Sequence, residues 1–286
     1  MLPARSRPRR MTIVFGSAVA AASVAALSVF TASAPANAAS SLRMVHAVST
    51  VHYVALGDSY SSGLGAGHDI AASGSCDRSS DAYPALWSAA NGPASAVSVA
   101  CAGATTGTVL SSQIQALSTV TTLVSITIGG NDVGFVPVMV TCVVLPTSFC
   151  VRAVHASEAE ISADLPGELD KVLSAIAAHA PNARVVVLDY PHLYDLSKSA
   201  SCAGLSTTDR TDLNQAADQL DAQIQAAARR HGDVFADVRT AFSGHEICDS
   251  PRWLNAVDWT DLGVSYHPTA AGQADGYDQA FSASAG

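Results

Sequence analysis

Five short apolar runs along the chain alternate with longer amphipathic stretches. Each run has the length of a buried β-strand and is bounded by polar or turn-forming residues. The predicted strands are His52–Leu56, Ala96–Ala100, Leu123–Ile128, Arg184–Asp189 and Val234–Val238. Strands that alternate with helices in this way predict an α/β fold with a central parallel sheet covered by helices on both faces.

The stretches between these runs carry apolar residues at helical period. One helix is predicted over Asp81–Asn91, and a longer one over Ser157–Ala180, whose Ser157 and Glu160 have capping-box spacing. Pro166 should kink or break the longer helix, because proline cannot donate a backbone hydrogen bond.

The clearest helical pattern covers Ser206–His231, with Ser206 as its cap and Gly232 at its end. A last helix is predicted to start near Thr269. The segments Cys142–Cys150 and Leu193–Cys202 are predicted to be loops, and loops of this length often shape a site. Without an internal repeat or linker, residues 39–286 are expected to form a single domain.

Residues 1–38 have the organisation of a cleaved signal peptide. A basic head without acidic residues precedes an apolar stretch from Ile13 to Ala32, and Ala36-Asn37-Ala38 fits a cleavage site. An uncleaved membrane anchor is the alternative, which the alanine and serine content of the stretch disfavours. We therefore expect a secreted protein without a stable membrane anchor. The general secretory route is favoured, with twin-arginine export as the alternative suggested by Arg9-Arg10.

Charge narrows the range of partners. Removal of residues 1–38 leaves 11 basic and 24 acidic residues, a formal net charge of −13. A chain this acidic is not expected to bind nucleic acid, and charge alone would not hold it on an anionic bilayer.

All six cysteines lie after residue 38, at positions 76, 101, 142, 150, 202 and 248. An even number in an exported chain predicts three disulfides, each contributing roughly 3 kcal/mol in the chain-entropy model. Zinc is the alternative, but the chain has neither a C-x-x-C pair nor an H-E-x-x-H motif. Composition does not choose among the possible pairings.

Ser59 is a candidate nucleophile. It follows Gly57-Asp58 directly after the first predicted strand, and ligands of open α/β sheets bind beyond the carboxyl ends of the strands. Turn chemistry is the other explanation for such a triplet. The G-x-S-x-G elbow of α/β-hydrolases is absent, since Ser61 stands where its second glycine would be. The order of trypsin-like proteases fails as well, because Ser59 comes first in the chain.

A serine nucleophile needs a base, and the attacked carbonyl needs hydrogen-bond donors. His267 is the candidate base, in a loop stiffened by Pro268 just before the last predicted helix. Gly103 and Asn131 follow the second and third strands and are candidate donors. Taken singly, Gly103 could be a turn residue and Asn131 a helix cap.

Together these four blocks resemble the SGNH hydrolases, also called the GDSL esterase/lipase family. Gly57-Asp58-Ser59, Gly103, Gly129-Gly130-Asn131-Asp132 and His267-Pro268-Thr269 occur in the family's order across nearly all of residues 39–286. The chain is most similar to the secreted actinobacterial lipases and esterases of this family. The resemblance implies a flavodoxin-like three-layer α/β/α sandwich that needs neither a cofactor nor a metal.

The resemblance also implies roles for these residues. Ser59 would attack and His267 would act as the general base. The oxyanion hole would consist of the backbone N–H groups of Ser59 and Gly103 and the Asn131 amide. A sequential disulfide pairing is implied, namely Cys76–Cys101, Cys142–Cys150 and Cys202–Cys248.

The chain departs from the family at one position. Many members carry an aspartate three residues before the catalytic histidine, and here that residue is Val264. Some secreted relatives use a backbone carbonyl instead, for which Ser265 is the candidate, giving a Ser-His dyad. Asp258 and Asp261 remain alternative partners of the histidine.

The expected function is hydrolysis of carboxylic acyl esters, most simply those of lipids, by a monomeric extracellular lipase or esterase. A phospholipase and a carbohydrate acetyl esterase with the same machinery are alternatives, and a secreted binding protein with an inert Ser59 is a third. Phe135, Val136 and Val138 are candidate walls of the substrate groove.

Overall fold

The computed structural model of the protein describes residues 49–286, apart from the side chains of residues 199–201. The predicted signal peptide over residues 1–38 lies outside the described residues. The strands are β1 His52–Gly57, β2 Ser95–Ser98, β3 Leu123–Thr127, β4 Arg184–Leu188 and β5 Val234–Ala236. They form one parallel sheet in the order β2-β1-β3-β4-β5. This is the predicted central sheet.

Nine α-helices connect and cover the strands in the described part of the chain. They are α1 Ser59–Ser62, α2 Tyr83–Asn91, α3 Thr106–Ser111, α4 Phe135–Val144, α5 Thr147–Ala163, α6 Leu165–His179, α7 Thr207–His231, α8 Arg239–Phe242 and α9 Asp278–Ala285. Short 3-10 helices span Ala71–Cys76, Gln113–Ala116, Leu196–Ser201 and Leu262–Val264, and a π-helical segment spans Gly272–Tyr277. Within residues 49–286, no helix combines the length and apolar character needed to cross a membrane.

The order of the strands divides the helices between the two faces of the sheet. The chain steps one way from β1 to β2 and the other way from β3 to β5, so right-handed crossovers place their helices on opposite faces. On one face the ring of Tyr53 in β1 packs against Trp87 of α2 and Phe281 of α9, with ring centroids 5.1 and 5.3 Å apart. Leu165 and Leu220 belong to the buried core of the α6–α7 layer.

The central strands β1, β3 and β4 are buried, apart from the first residues of β1 and β4. All five residues of β3 are buried, including Ser125, whose hydroxyl lies 2.6 Å from that of Tyr53. By contrast, β2 is an exposed edge strand, and it begins one residue before and ends two residues before the predicted run. The strong apolar signal of a parallel sheet therefore located its buried strands better than its edge.

The helix predicted over Ser157–Ala180 is wrong in its boundaries. It is two helices, α5 and α6, that meet at Asp164 rather than at Pro166, which instead lies in the first turn of α6. Ser157 caps nothing, because it lies inside α5 and its hydroxyl donates to the carbonyl of Val133 at 2.6 Å. The adjoining Cys142–Cys150 segment is not a loop, since Cys142 lies in α4 and Cys150 in α5.

Other predicted helix ends are confirmed. The side chain of Ser206 accepts from the backbone of Asp209 in a reciprocal capping box, and Gly232 ends α7 with φ of 75°. The Leu193–Cys202 segment is a loop that contains a 3-10 helix. The last helical segment begins at residue 270, next to the predicted Thr269.

The three disulfides have the sequential pairing that the resemblance implies: Cys76–Cys101, Cys142–Cys150 and Cys202–Cys248. The first joins the segment after α1 to the segment after β2, and the second joins α4 to α5.

Candidate active site

Ser59 stands at a sharp turn from β1 into α1. Gly57 has φ of +120°, and a Cβ there would lie 2.4 Å from the carbonyl oxygen of Thr127, so only glycine fits. The side chain of Asp58 then caps α1 by accepting from the N–H of Tyr60 at 3.0 Å. The chain thus makes a strand-to-helix turn at Ser59, the candidate nucleophile, without the G-x-S-x-G motif.

His267 is held by the backbone on both sides of it. The Asn255 N–H donates to the His267 carbonyl at 2.9 Å, and the hydroxyl of Tyr60 donates to the Tyr266 carbonyl at 2.8 Å. Pro268 forms an isolated antiparallel bridge with Leu254. These contacts bring His267 Nε2 to 2.8 Å from Ser59 Oγ, although 208 positions separate the two residues.

The other ring nitrogen fixes the tautomer of this histidine. His267 Nδ1 lies 3.0 Å from the carbonyl oxygen of Ser265, which only accepts, so Nδ1 carries the proton. Nε2 is then an acceptor for the Ser59 hydroxyl. Burial lowers the pKa of His267 to about 4, although nearby backbone carbonyls oppose the shift. The imidazole is therefore neutral at pH 7 and able to take a proton.

Neither alternative carboxylate contacts this histidine. The side chain of Asp258 accepts from the N–H and hydroxyl of Thr260, at 2.8 and 2.6 Å. Asp261 accepts from the N–H of Gly263 at 3.0 Å. Within residues 49–286, no aspartate or glutamate side chain is hydrogen-bonded to His267.

Gly103 and Asn131 are tied to each other. Gly103 lies in a turn with φ of +75°, and the side-chain amide of Asn131 donates to the neighbouring carbonyl of Ala104 at 3.0 Å. Asn131 is not a helix cap, because α4 begins after Gly134. The carboxylate of Asp132 makes a second link, accepting from the N–H and hydroxyl of Thr106.

Two backbone donors at this site are available to a ligand. Within the described part of the chain, the N–H groups of Ser59 and Gly103 donate to no protein acceptor. One N–H of the Asn131 amide also remains after its bond to Ala104, since an amide carries two. These donors are of the kind that stabilise a developing negative charge on a carbonyl oxygen.

Sequence reasoning missed the network around Asp58, which is 1% exposed. The carboxylate accepts from Thr127 Oγ1 at 2.7 Å and from the hydroxyl of Tyr190, which in turn accepts from Gly130 N–H. Burial raises the pKa of Asp58 to about 6, despite these donors. The available signal was positional, since Asp58, Thr127 and Tyr190 all lie at or just after the ends of β1, β3 and β4.

Two apolar depressions meet at the Ser59–His267 pair. The first, called the inner cavity, is lined by Ser59 and Asn131 among others and spans about 680 Å³, part of which is open solvent. Its apolar walls include Val133, Val138, Val154, Ile161, Leu213 and Leu220.

The second depression, called the outer groove, lies on the histidine side. His267 and Ser265 line it, together with one stripe of α4 and with Val257, Trp259 and Leu262. Phe135 lines both depressions, and its ring centroid is 6.5 Å from that of His267. Of the three candidate wall residues, Phe135 and Val138 line the inner cavity, whereas Val136 lines the outer groove.

A parallel α/β/α sandwich that presents a hydrogen-bonded serine and histidine at the carboxyl ends of its strands has the architecture of a serine hydrolase. Residues 55–274 match the model of the GDSL-like Lipase/Acylhydrolase family. The chain belongs to this family, as its four sequence blocks indicated.

Several relatives of the chain come from Streptomyces. Lipase 1 of Streptomyces coelicolor is 53% identical over 225 residues, which are 79% of this chain and 83% of the relative. The crystal structure of phospholipase A1 from Streptomyces albidoflavus superposes with a TM-score of 0.80 at 50% identity, covering 82% of this chain and 98% of the other. The extracellular lipase of Streptomyces rimosus superposes with a TM-score of 0.79 at 46% identity, covering 82% and 99%.

Proposed function

We propose that the protein is a secreted hydrolase of lipid acyl esters that works through Ser59 and His267. The contact of 2.8 Å between Ser59 Oγ and His267 Nε2, beside an apolar cavity that Ser59 lines, carries this proposal. The relatives named lipase and phospholipase A1 support the same substrate class.

The mechanism follows from the tautomer and the donors. His267 Nε2 takes the hydroxyl proton as Ser59 Oγ attacks the ester carbonyl, and the Ser265 carbonyl holds the Nδ1 proton and orients the ring. The N–H groups of Ser59 and Gly103 and the Asn131 amide stabilise the oxyanion. His267 then gives its proton to the departing alcohol. Water, deprotonated by the same ring, releases the acid and restores the Ser59 hydroxyl.

The inner cavity is the proposed site of the acyl chain of the attacked ester. Its aliphatic walls favour a medium or long chain over the acetyl group of a carbohydrate ester. A phospholipase is the second candidate, favoured by the relative of that name at 50% identity. An inert binding protein would not require the buried, neutral imidazole that contacts Ser59.

The remaining parts of the proposal concern the state of the protein. Three disulfides support export to an oxidising compartment, with residues 1–38 removed as a signal peptide. All four groups of the machinery come from one chain, which is consistent with an active monomer that needs no cofactor or metal. A net charge of −13 after cleavage gives no reason to expect a nucleic-acid partner.

The test is a substrate panel on the full chain secreted by an oxidising host. Tributyrin, a long-chain triglyceride and phosphatidylcholine should be hydrolysed, whereas Ser59→Ala should remain folded and lose turnover. A fluorophosphonate probe should label the wild type at Ser59, with Ser61→Ala as the matched labelling control. Hydrolysis by Ser59→Ala near the wild-type rate would contradict the proposal, and N-terminal sequencing would check cleavage after Ala38.

A further inference from the structure

The outer groove leaves large apolar side chains exposed to water. Five of its wall residues are at least half exposed: Val136, Val140, Val144, Trp259 and Leu262. Among the described residues that line it, none is an Asp, Glu, Lys or Arg. In a chain with this many acidic residues, an uncharged apolar depression indicates an apolar ligand.

The outer groove is lined from two sides by two separate segments of the chain. One wall is a stripe of α4, whose residues 136, 139, 140, 143 and 144 recur at helical period and face the groove. The other wall is the segment around Val257, Trp259 and Leu262 that leads to His267. The groove therefore runs from open solvent up to the histidine.

The chemistry of the dyad decides which part of a substrate reaches this groove. In the tetrahedral intermediate, the former carbonyl carbon carries Ser59 Oγ, the oxyanion, the acyl chain and the alcohol oxygen. The oxyanion faces Asn131, which lines the inner cavity together with Ser59. The proton on His267 Nε2 must pass to the alcohol oxygen, so that oxygen faces the ring. Whatever the alcohol carries then extends along the outer groove, which His267 lines.

We infer that the outer groove binds an apolar chain attached to the leaving alcohol, as the second acyl chain of a diacyl glycerolipid would be. The inference rests on the proposed function. It divides a two-chain substrate between two sites, with the scissile acyl chain in the inner cavity and the retained chain in the outer groove. Phe135, which lines both, separates the two chains next to the imidazole.

The test compares two soluble esters that share an acyl group and differ only in the alcohol. These are the butanoates of 2-hexyloxyethanol and of 2-methoxyethanol, each used as a dilute monomer. Partial burial of the additional methylene groups should raise kcat/KM of the wild type for the hexyloxy ester by on the order of tenfold. The ether chain is not cleavable, so the ratio reports binding of the alcohol side alone.

The test variant replaces two exposed residues of the outer groove with a polar residue: Val140→Asn combined with Leu262→Asn. The kcat/KM ratio between the hexyloxy and methoxy esters should fall severalfold towards one. Val120→Asn is the matched control, because Val120 is 63% exposed in the turn before β3 and lies away from the groove. This control should keep the wild-type ratio.

The outcomes are distinguishable. Equal kcat/KM of the wild type for the two esters would overturn the inference while leaving ester hydrolysis intact. If the double variant loses kcat/KM equally for both esters, the inference is overturned as well, because an equal loss indicates a general defect in catalysis. Weaker binding to phosphatidylcholine vesicles with an unchanged ester ratio would show that the groove docks on a lipid surface instead. No hydrolysis of either ester would overturn the proposed function together with the inference.

Discussion

The buried imidazole of His267 makes the pH dependence of hydrolysis a direct test of the proposed mechanism. Loss of hydration lowers its pKa from 6.5 to about 4, and the Ser265 carbonyl compensates only in part. This lowering of the pKa corresponds to a free energy of about 3 kcal/mol that disfavours protonation of His267 in the folded protein. Because only the neutral ring accepts the Ser59 proton, kcat/KM should stay nearly constant down to about pH 5 and halve near pH 4.

The rate at pH 5 separates this expectation from ordinary histidine behaviour. A base with a pKa of about 4 is about 90% neutral there, whereas one with the ordinary value is about 3% neutral, a difference of about thirtyfold in rate. The assay is the initial rate of butanoate release from its 2-methoxyethyl ester between pH 3.5 and pH 9, at constant ionic strength. Acid release is quantified by chromatography, which does not depend on the ionisation of a chromophore.

Acid unfolding needs its own control, because the same burial links stability to pH. As the pH falls, His267 is protonated in the unfolded chain at a higher pH than in the folded protein. The free energy of unfolding should therefore decrease between about pH 6.5 and about pH 4, by up to about 3 kcal/mol. Near-ultraviolet circular dichroism at each pH, and recovery of activity at pH 7, identify the range in which the protein is folded. A midpoint of kcat/KM above pH 6 in folded protein would refute the reasoning, since it would mean that the imidazole is hydrated.

Four substitutions test other parts of the site. Asn131→Ala should lower kcat by about 10²–10³ with an unchanged melting temperature, and a loss of folding instead would point to a structural role. Ser265→Ala should cost less than about tenfold in kcat, because the backbone makes the bond to His267; a loss near the 10⁴ seen when a carboxylate orienter is removed would contradict this. Ala217→Phe should fill the inner cavity and shift the acyl-chain profile towards shorter esters, and an unchanged profile would place the chain elsewhere. Asp58→Asn should lower the unfolding free energy by about 1–3 kcal/mol, measured in urea, because the Tyr190 hydroxyl loses its acceptor; equal stability would contradict the network.

The sequence was informative about this fold where strands are buried. The observed β1, β3 and β4 lie within one residue of the predicted runs, because both faces of these strands pack and the apolar signal is continuous. The four blocks of the site were predictable for a related reason. Ser59, Gly103 and Asn131 each follow a parallel strand, so the topology gathers them at one edge of the sheet.

Features that depend on side-chain direction across the fold were not predictable. Ser157 has a capping pattern in the sequence, but the Val133 carbonyl takes its hydroxyl, and α5 begins ten residues earlier at Thr147. Val136 and Val138 are two positions apart, and only the rotation of α4 sends them to different depressions. The partners of Asp58 lie at the ends of other strands, and no local sequence pattern predicts these contacts.

In the proposed mechanism, the atom that orients His267 belongs to the main chain, and this changes which mutations the enzyme should tolerate. A codon change can delete a carboxylate, but none can delete the carbonyl oxygen of residue 265. The residues most sensitive to mutation should therefore be those that fix the orientation of this peptide plane. They include Tyr266, which has a left-handed φ of 67°, and Asn255, whose side-chain amide donates to the His267 carbonyl. Mutations near His267 should therefore abolish activity when they change the backbone conformation, and not when they only change the side chain at position 265.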